Sequence, residues 1–213
     1  MLSIRGSREF IEQVAEALAN IAPSAQVDRS TRRVWLDPTG PVDLGRPIPT
    51  DHPRGRRLLQ GLIQSAYQIT IQSSSGQRGG CGNRTTPVYP RTIEIGGASG
   101  STVYWNPGGW ARVPSRGCRN DRHATPPYIA LGHELIHAGQ FRRQGFVQPQ
   151  DVNDLERHGF APRLEHLAVG LPYRRAGQPR PEFPGAGDVT ENQLRSECHL
   201  PKRTAYLGPS MTC

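Results

Sequence analysis

Residues 125–138 read Thr125-Pro126-Pro127-Tyr128-Ile129-Ala130-Leu131-Gly132-His133-Glu134-Leu135-Ile136-His137-Ala138. Thr125 before Pro126 predicts a helix start: a capping side chain, then a residue whose missing N–H is not needed in the first turn. At about 3.6 residues per turn, His133 and His137 stand one turn apart on one face, close enough to grip a single cation. Glu134 lies beside that face, able to reach a water on the metal without ligating it. The apolar Ile129, Leu131, Leu135 and Ile136 predict that this helix is buried, which sets it apart from a surface helix that happens to carry two histidines.

These residue types suit hydrolysis at zinc. Neutral imidazoles bind Zn²⁺ and leave a coordination position open, and the metal brings the pKa of a bound water down to about 7. Glu134 then takes a proton from that water and hands it to the leaving amine.

A catalytic zinc takes three protein ligands, so a third must arrive from downstream. The continuation with Gly and then His after the second histidine fails, because Gln140 and Arg143 occupy those positions. Asp151, Asp154, Glu156 and Glu165 remain as carboxylate candidates, with His158 and His166 behind them. Glu165 is the choice. Pro162 opens a short helix whose apolar stripe of Leu164, Leu167, Ala168 and Leu171 would dock it on the metal-binding helix before Pro172. The other candidates sit in a polar stretch that reads as loop.

Outward from this centre the chain predicts an α+β, loop-rich fold: 213 residues with 24 glycines and 20 prolines leave little room for long regular elements. Phe10, Ile11, Val14, Ala17, Leu18 and Ile21 recur at helical spacing, and a short strand follows around Arg33 to Leu36. The Pro/Gly-rich stretch from Pro38 to Pro53 reads as a connector. It divides residues 1–53, an arm or an integral part of the fold, from a catalytic domain over 54–213. Leu58, Leu59, Leu62 and Ile63 predict a second helix, and Ile69 and Ile71 alternate with polar neighbours as in a half-buried strand. Gly76 to Arg84 reads as loop, and Arg91–Ile95 and Thr102–Trp105 as a hairpin joined through Gly96-Gly97-Ala98-Ser99-Gly100.

The net charge of +8 would suit nucleic acid, an anionic membrane surface or an acidic protein, and selects none of them. Arg54, Arg56, Arg57, Arg174 and Arg175 lack interleaved aromatics for base stacking, so no specific nucleic-acid partner is expected. No apolar run reaches bilayer length, and no cleavable leader is evident. Cys81, Cys118, Cys198 and Cys213 show no zinc-site pair spacing, and their redox state stays open, with free thiols slightly favoured.

The blocks Leu131-Gly132-His133-Glu134-Leu135-Ile136-His137-Ala138 and Leu164-Glu165-His166-Leu167-Ala168-Val169-Gly170-Leu171 are followed by Thr190-Glu191-Asn192, Glu197, Leu200-Pro201, Arg203 and Tyr206. Together, over about residues 100 to 207, they resemble the NleD-like metallopeptidase effectors, toxins that bacteria deliver through secretion systems. The resemblance implies a zincin-like domain with a small sheet next to the H-E-x-x-H helix, and Zn²⁺ held by His133, His137 and Glu165. Arg203-x-x-Tyr206 is similar to the arginine and tyrosine pair of clostridial neurotoxin light chains, where the pair faces the substrate carbonyl and would stabilise an oxyanion. Glu197 would hold a ligand imidazole through its free N–H, or else cap or solvate its own helix. Gly132, where alanine is common, and the Arg/Pro-rich insert from Arg174 to Gly187 depart from the pattern.

The implied function is a secreted or injected endopeptidase toxin acting on a protein in the cytosol of the target cell. Signalling kinases are the family's best-known substrates, and a secretion chaperone is a further partner that such delivery admits. The strand Thr102–Trp105, with Tyr104 in it, is expected to be the sheet edge that pairs with the substrate backbone. The alternative from another class is a basic nucleic-acid- or protein-binding module without catalysis.

Overall fold

The computed structural model describes residues 1–38, 51–74, 83–88, 100–109, 111–114, 122–144, 162–174 and 177–206. Short strands and helices alternate: β1 (Leu2–Arg5), α1 (Arg8–Ile21), β2 (Ala25–Asp28), β3 (Arg33–Leu36), α2 (Pro53–Ile63), β4 (Gln68–Ser73), β5 (Arg84–Val88) and β6 (Gly100–Trp105). After them come β7 (Ala111–Pro114), β8 (Arg122–Thr125), α3 (Pro127–Gln144), α4 (Pro162–Val169) and α5 (Glu191–Glu197). The fold is α+β, with a six-stranded mixed sheet in the order β2-β3-β1-β4-β6-β5 and a separate β7-β8 ribbon. β1, β4 and β6 run parallel, while β3 and β5 are antiparallel to their inner neighbours.

Helix α1 forms where periodicity predicts it. Ser7 caps it by accepting from the Phe10 N–H, and Phe10, Ile11, Val14, Ala17, Leu18 and Ile21 are its buried stripe. Strand β4 alternates as expected, with Ile69 and Ile71 fully buried. Leu58, Leu59 and Leu62 bury one side of α2. β1 and β2, four residues each, are additions that no sequence pattern announced; β1 brings Leu2 and Ile4 into the core between β3 and β4. Strands from both sides of residues 53 and 54 therefore share one sheet.

Helix α3 is the hub, packing against β5, β6, α1, α2, α4 and α5. Ile129, Leu131, Leu135 and Ala138 are fully buried along it, and truncating a leucine in such a place costs about 2–5 kcal/mol. Trp105, 2% exposed, donates from Nε1 to the Pro127 carbonyl at 2.9 Å, tying the end of β6 to the first turn of α3. α3 begins one residue later than the sequence predicts. Thr125 ends β8, and its hydroxyl accepts from Arg195 Nη2 at 2.5 Å instead of capping the helix.

Two glycines permit close approaches around the hub. A Cβ on Gly55 would lie 1.9 Å from the Ile21 carbonyl oxygen, where α2 meets the end of α1. A Cβ on Gly132 would lie 2.7 Å from a methyl of Leu194 on α5. An alanine at Gly132 would therefore require the Leu194 methyl to shift.

Strand β6 is not the sheet edge. It pairs with β4 on one side and with β5 on the other, Tyr104 lying opposite Gln72 and Arg84, so the edge beside α3 is β5. β6 pairs antiparallel with Arg84–Val88, while the expected strand Arg91–Ile95 and its hairpin connection lie outside the described residues. Pro87 within β5 marks an edge position, since proline cannot donate to a second neighbour. No helix among the described residues is long and apolar enough to cross a membrane. Cys198 is a free thiol, and the other three cysteines lie outside the described residues.

Candidate metal centre

One turn of α3 places the two imidazoles edge to face, with ring centroids 4.7 Å apart. Their Nε2 atoms point at each other across 3.0 Å. Helix α4 delivers Glu165, whose Oε2 is 2.9 Å from His133 Nε2 and 3.2 Å from His137 Nε2. Three donors thus converge on one point. Ligands of a tetrahedral zinc at 2.0–2.1 Å stand about 3.3 Å apart, so this slightly contracted trio has the composition and the spacing that zinc takes.

The remaining ring nitrogens fix orientation. His133 Nδ1 is 2.9 Å from Glu191 Oε2, and His137 Nδ1 is 2.8 Å from Gln140 Oε1. With each Nδ1–H donated outward, each Nε2 would give its lone pair to a metal at the shared point. Burial pushes the His133 imidazole down, but hydrogen bonds to Glu165 and Glu191 outweigh it and raise its pKa to about 10. Burial also pushes Glu165 up, and the two histidines more than reverse this, holding it well below the usual range. The metal-free cluster therefore keeps a positive charge on imidazole between two carboxylates, the electrostatic setting that a divalent cation would take over with release of a proton.

Glu134, 7% exposed, points its carboxylate at β5: Thr85 Oγ1 lies 2.8 Å from both Glu134 Oε2 and the Glu134 carbonyl oxygen. A hydroxyl has one proton, so it can donate to only one of them. Burial, the dominant influence, pushes the Glu134 carboxyl up from its ordinary value despite the neighbouring histidines. A protonated Glu134 could donate to Thr85 Oγ1 while that hydroxyl donates to the carbonyl, and both contacts would then be satisfied.

Glu191 sits in the first turn of α5, where Thr190 and Gln193 form a capping box. It is 2% exposed and has three partners: His133, Arg195 at 2.6 Å and Arg203 at 2.9 Å. Asn192 clamps Arg203 further, accepting from its N–H at 2.7 Å and donating to its carbonyl at 3.0 Å. The Arg203 guanidinium is therefore drawn to Glu191 and does not project freely toward a substrate. Its side chain is 8% exposed, its Nε has no partner among the described residues, and it lies 5.2 Å from the Tyr206 ring centroid. Tyr206 does reach the cluster. Burial, then the Glu165 charge and hydrogen bond, push its phenol above the usual range, so it stays a proton donor.

Glu197 does not hold an imidazole. Its carboxylate accepts from the N–H groups of Arg54 at 2.7 Å and Gly55 at 3.1 Å, capping the N-terminus of α2, where a negative charge is favoured. Glu191 stands in the place expected for it. His166 packs between Tyr173 and Tyr206 and is not one of the converging donors. Asp151, Asp154, Glu156 and His158 lie outside the described residues. The sequence alone assigns no role to Glu191, Gln140, Thr85 or Arg195. The one local signal was the Glu-x-x-x-Arg spacing behind a Thr-x-x-Gln capping box, and it says nothing of burial.

An H-E-x-x-H helix beside a sheet edge, with a later glutamate closing on both imidazoles, is the donor arrangement of a known class of peptidases. A model of the peptidase M91 family, described as effector protein, matches residues 50–206, and the chain belongs to this NleD-like family. No curated protein and no solved structure matches the chain. Membership makes it a peptidase of an effector family, a hydrolase whose substrate is protein.

Proposed function

We propose that the chain is a zinc-dependent endopeptidase, a toxin delivered by a bacterial secretion system, which cleaves a protein in the cytosol of the target cell. The observation that carries this reading is the convergence of His133 Nε2, His137 Nε2 and Glu165 Oε2 beside Glu134. Zinc held by these three residues would acidify water and polarise the scissile carbonyl.

Glu134 accepts the proton of the attacking water and returns it to the leaving amine, and burial, which pushes its carboxyl up, strengthens it as a base. Tyr206, held protonated, donates to the developing oxyanion. Arg203 acts through others, stacking near Tyr206 and fixing Glu191, which in turn orients His133. An extended substrate pairs with β5 along the flank that β6 does not occupy. That assignment moves backbone recognition from Tyr104 to the Thr85 strand.

Purified protein should carry about one zinc per chain. Glu134→Ala should keep the metal and lose roughly 10²–10⁴-fold in turnover, whereas His133→Ala should lose both. New N-termini in target-cell lysate that arise with the wild type and not with Glu134→Ala would identify the substrate. A wild type without zinc, or undiminished cleavage by Glu134→Ala, would overturn the proposal.

Thr85→Val removes a hydroxyl while keeping the shape of β5. A hydrogen bond to the catalytic carboxylate contributes about 0.5–1.5 kcal/mol, so turnover should fall roughly 3- to 10-fold with zinc content unchanged, as steady-state kinetics and metal analysis would read.

A further inference from the structure

Gln140 lies one turn beyond His137 on α3, and its side-chain amide is buried between two elements of the centre. Its Oε1 is 2.8 Å from His137 Nδ1, and its Nε2 is 3.3 Å from the carbonyl oxygen of Leu164, the residue before Glu165. We infer that Gln140 is a positioning residue that locks the tautomer of His137 and, through the Leu164 carbonyl, sets the place from which Glu165 reaches the same point. The inference rests on the zinc reading of the site and adds to it a residue that serves two donors at once.

The chemistry leaves little freedom. A backbone carbonyl can only accept, so the amide of Gln140 must turn its NH₂ toward Leu164. That leaves the amide oxygen facing His137, and an oxygen at hydrogen-bond distance from an imidazole nitrogen requires the proton on that nitrogen. His137 is thereby held with Nδ1 protonated and Nε2 facing the point it shares with Glu165 and His133, where a metal would take its lone pair. Phe141 lies alongside the ring at 25°, with centroids 6.4 Å apart. His133 reaches the same tautomer by a different route, through the anionic Glu191. The two imidazoles are thus supported unequally, one by a carboxylate within a cationic network and one by a neutral amide tied to the helix of the third ligand.

The test is zinc affinity by chelator competition, with the visible absorption of the Co²⁺-substituted protein as a reporter of ligand geometry. Gln140→Leu removes both polar contacts at similar volume. Gln140→Asn is one methylene too short to span both partners, and Gln140→Glu keeps the acceptor for His137 while losing the donor to Leu164. Gln140→Leu and Gln140→Asn should bind zinc about 10–100-fold more weakly, the usual effect of removing such support, with altered Co²⁺ bands. Gln140→Glu, which keeps the acceptor for His137 and loses the donor to Leu164, should fall between wild type and Gln140→Leu in affinity. Should Gln140→Leu fail to fold, Gln140→Asn against Gln140→Glu decides. If a folded Gln140→Leu or Gln140→Asn matched wild type in affinity and Co²⁺ spectrum, Gln140 would be only a packing residue and the inference would fall. A wild type that binds no zinc would instead overturn the metal site itself, a distinguishable result.

Discussion

Glu191→Ala is expected to cost about 3–5 kcal/mol of folding stability, the range for removing one partner of a buried ion pair. Three cationic or hydrogen-bonding partners lose their common acceptor at once, and Arg195, fully buried, and Arg203, 8% exposed, keep their charges in a place with little water. In a chain of this size the loss should lower the melting temperature by roughly 10 °C. Glu191→Gln, which preserves the shape, should lose less. Burial pushes the Glu191 carboxyl up, but the His133 hydrogen bond and the charges of Arg203 and Arg195 hold it far below the usual range. Its contribution is therefore complete above the ordinary carboxylate pKa, and it declines as pH falls toward the depressed folded value. The margin of the wild type over Glu191→Gln should accordingly be largest at neutral pH and shrink on acidification. Thermal melts of the two proteins at neutral and acidic pH would check both statements, and superimposable melts at neutral pH would refute them.

Deletion of residues 1–38 is expected to leave no cooperatively folded protein. The segment supplies β1, inside the sheet between β3 and β4, and α1, which packs on α3. Leu2, Ile4, Phe10, Ile11, Val14, Leu18 and Ile21 are all buried, and at about 1.5–3 kcal/mol each their loss matches or exceeds the 5–15 kcal/mol by which a domain is stable. Circular dichroism melts and zinc content of the truncated chain are the measurements. A truncated protein that melts cooperatively and still binds one zinc would instead make the first 53 residues an arm on an independent 54–213 domain.

The helix that carries His133, Glu134 and His137 could be read directly, because its apolar flanks repeat at helical spacing around a motif whose chemistry fixes which face matters. Glu165 was legible for a similar reason: Pro162 and the Leu164, Leu167 and Ala168 stripe define a short helix with one face to bury. What escaped was relational. Glu191 and Glu197 lie on one seven-residue helix, about 120° apart around its axis. The packing of that helix on α3, with Glu197 turned to the start of α2 and Glu191 to Arg195 and Arg203, decides which of them meets His133. The edge strand escaped because Arg84–Val88 is short and polar, its one clue being Pro87. Gln140 looked like a gap in a longer motif, and its role exists only because α4 brings the Leu164 carbonyl against it.

The contact between Gly132 and Leu194 carries one more consequence. A single small volume is shared by the position before the first histidine and a position on a helix some sixty residues later. Among related chains the two should trade size: an alanine at the first calls for a slimmer or differently turned side chain at the second. A substitution that enlarges one alone must be met by a shift of the Leu194 side chain, three residues from the carboxylate that steadies His133.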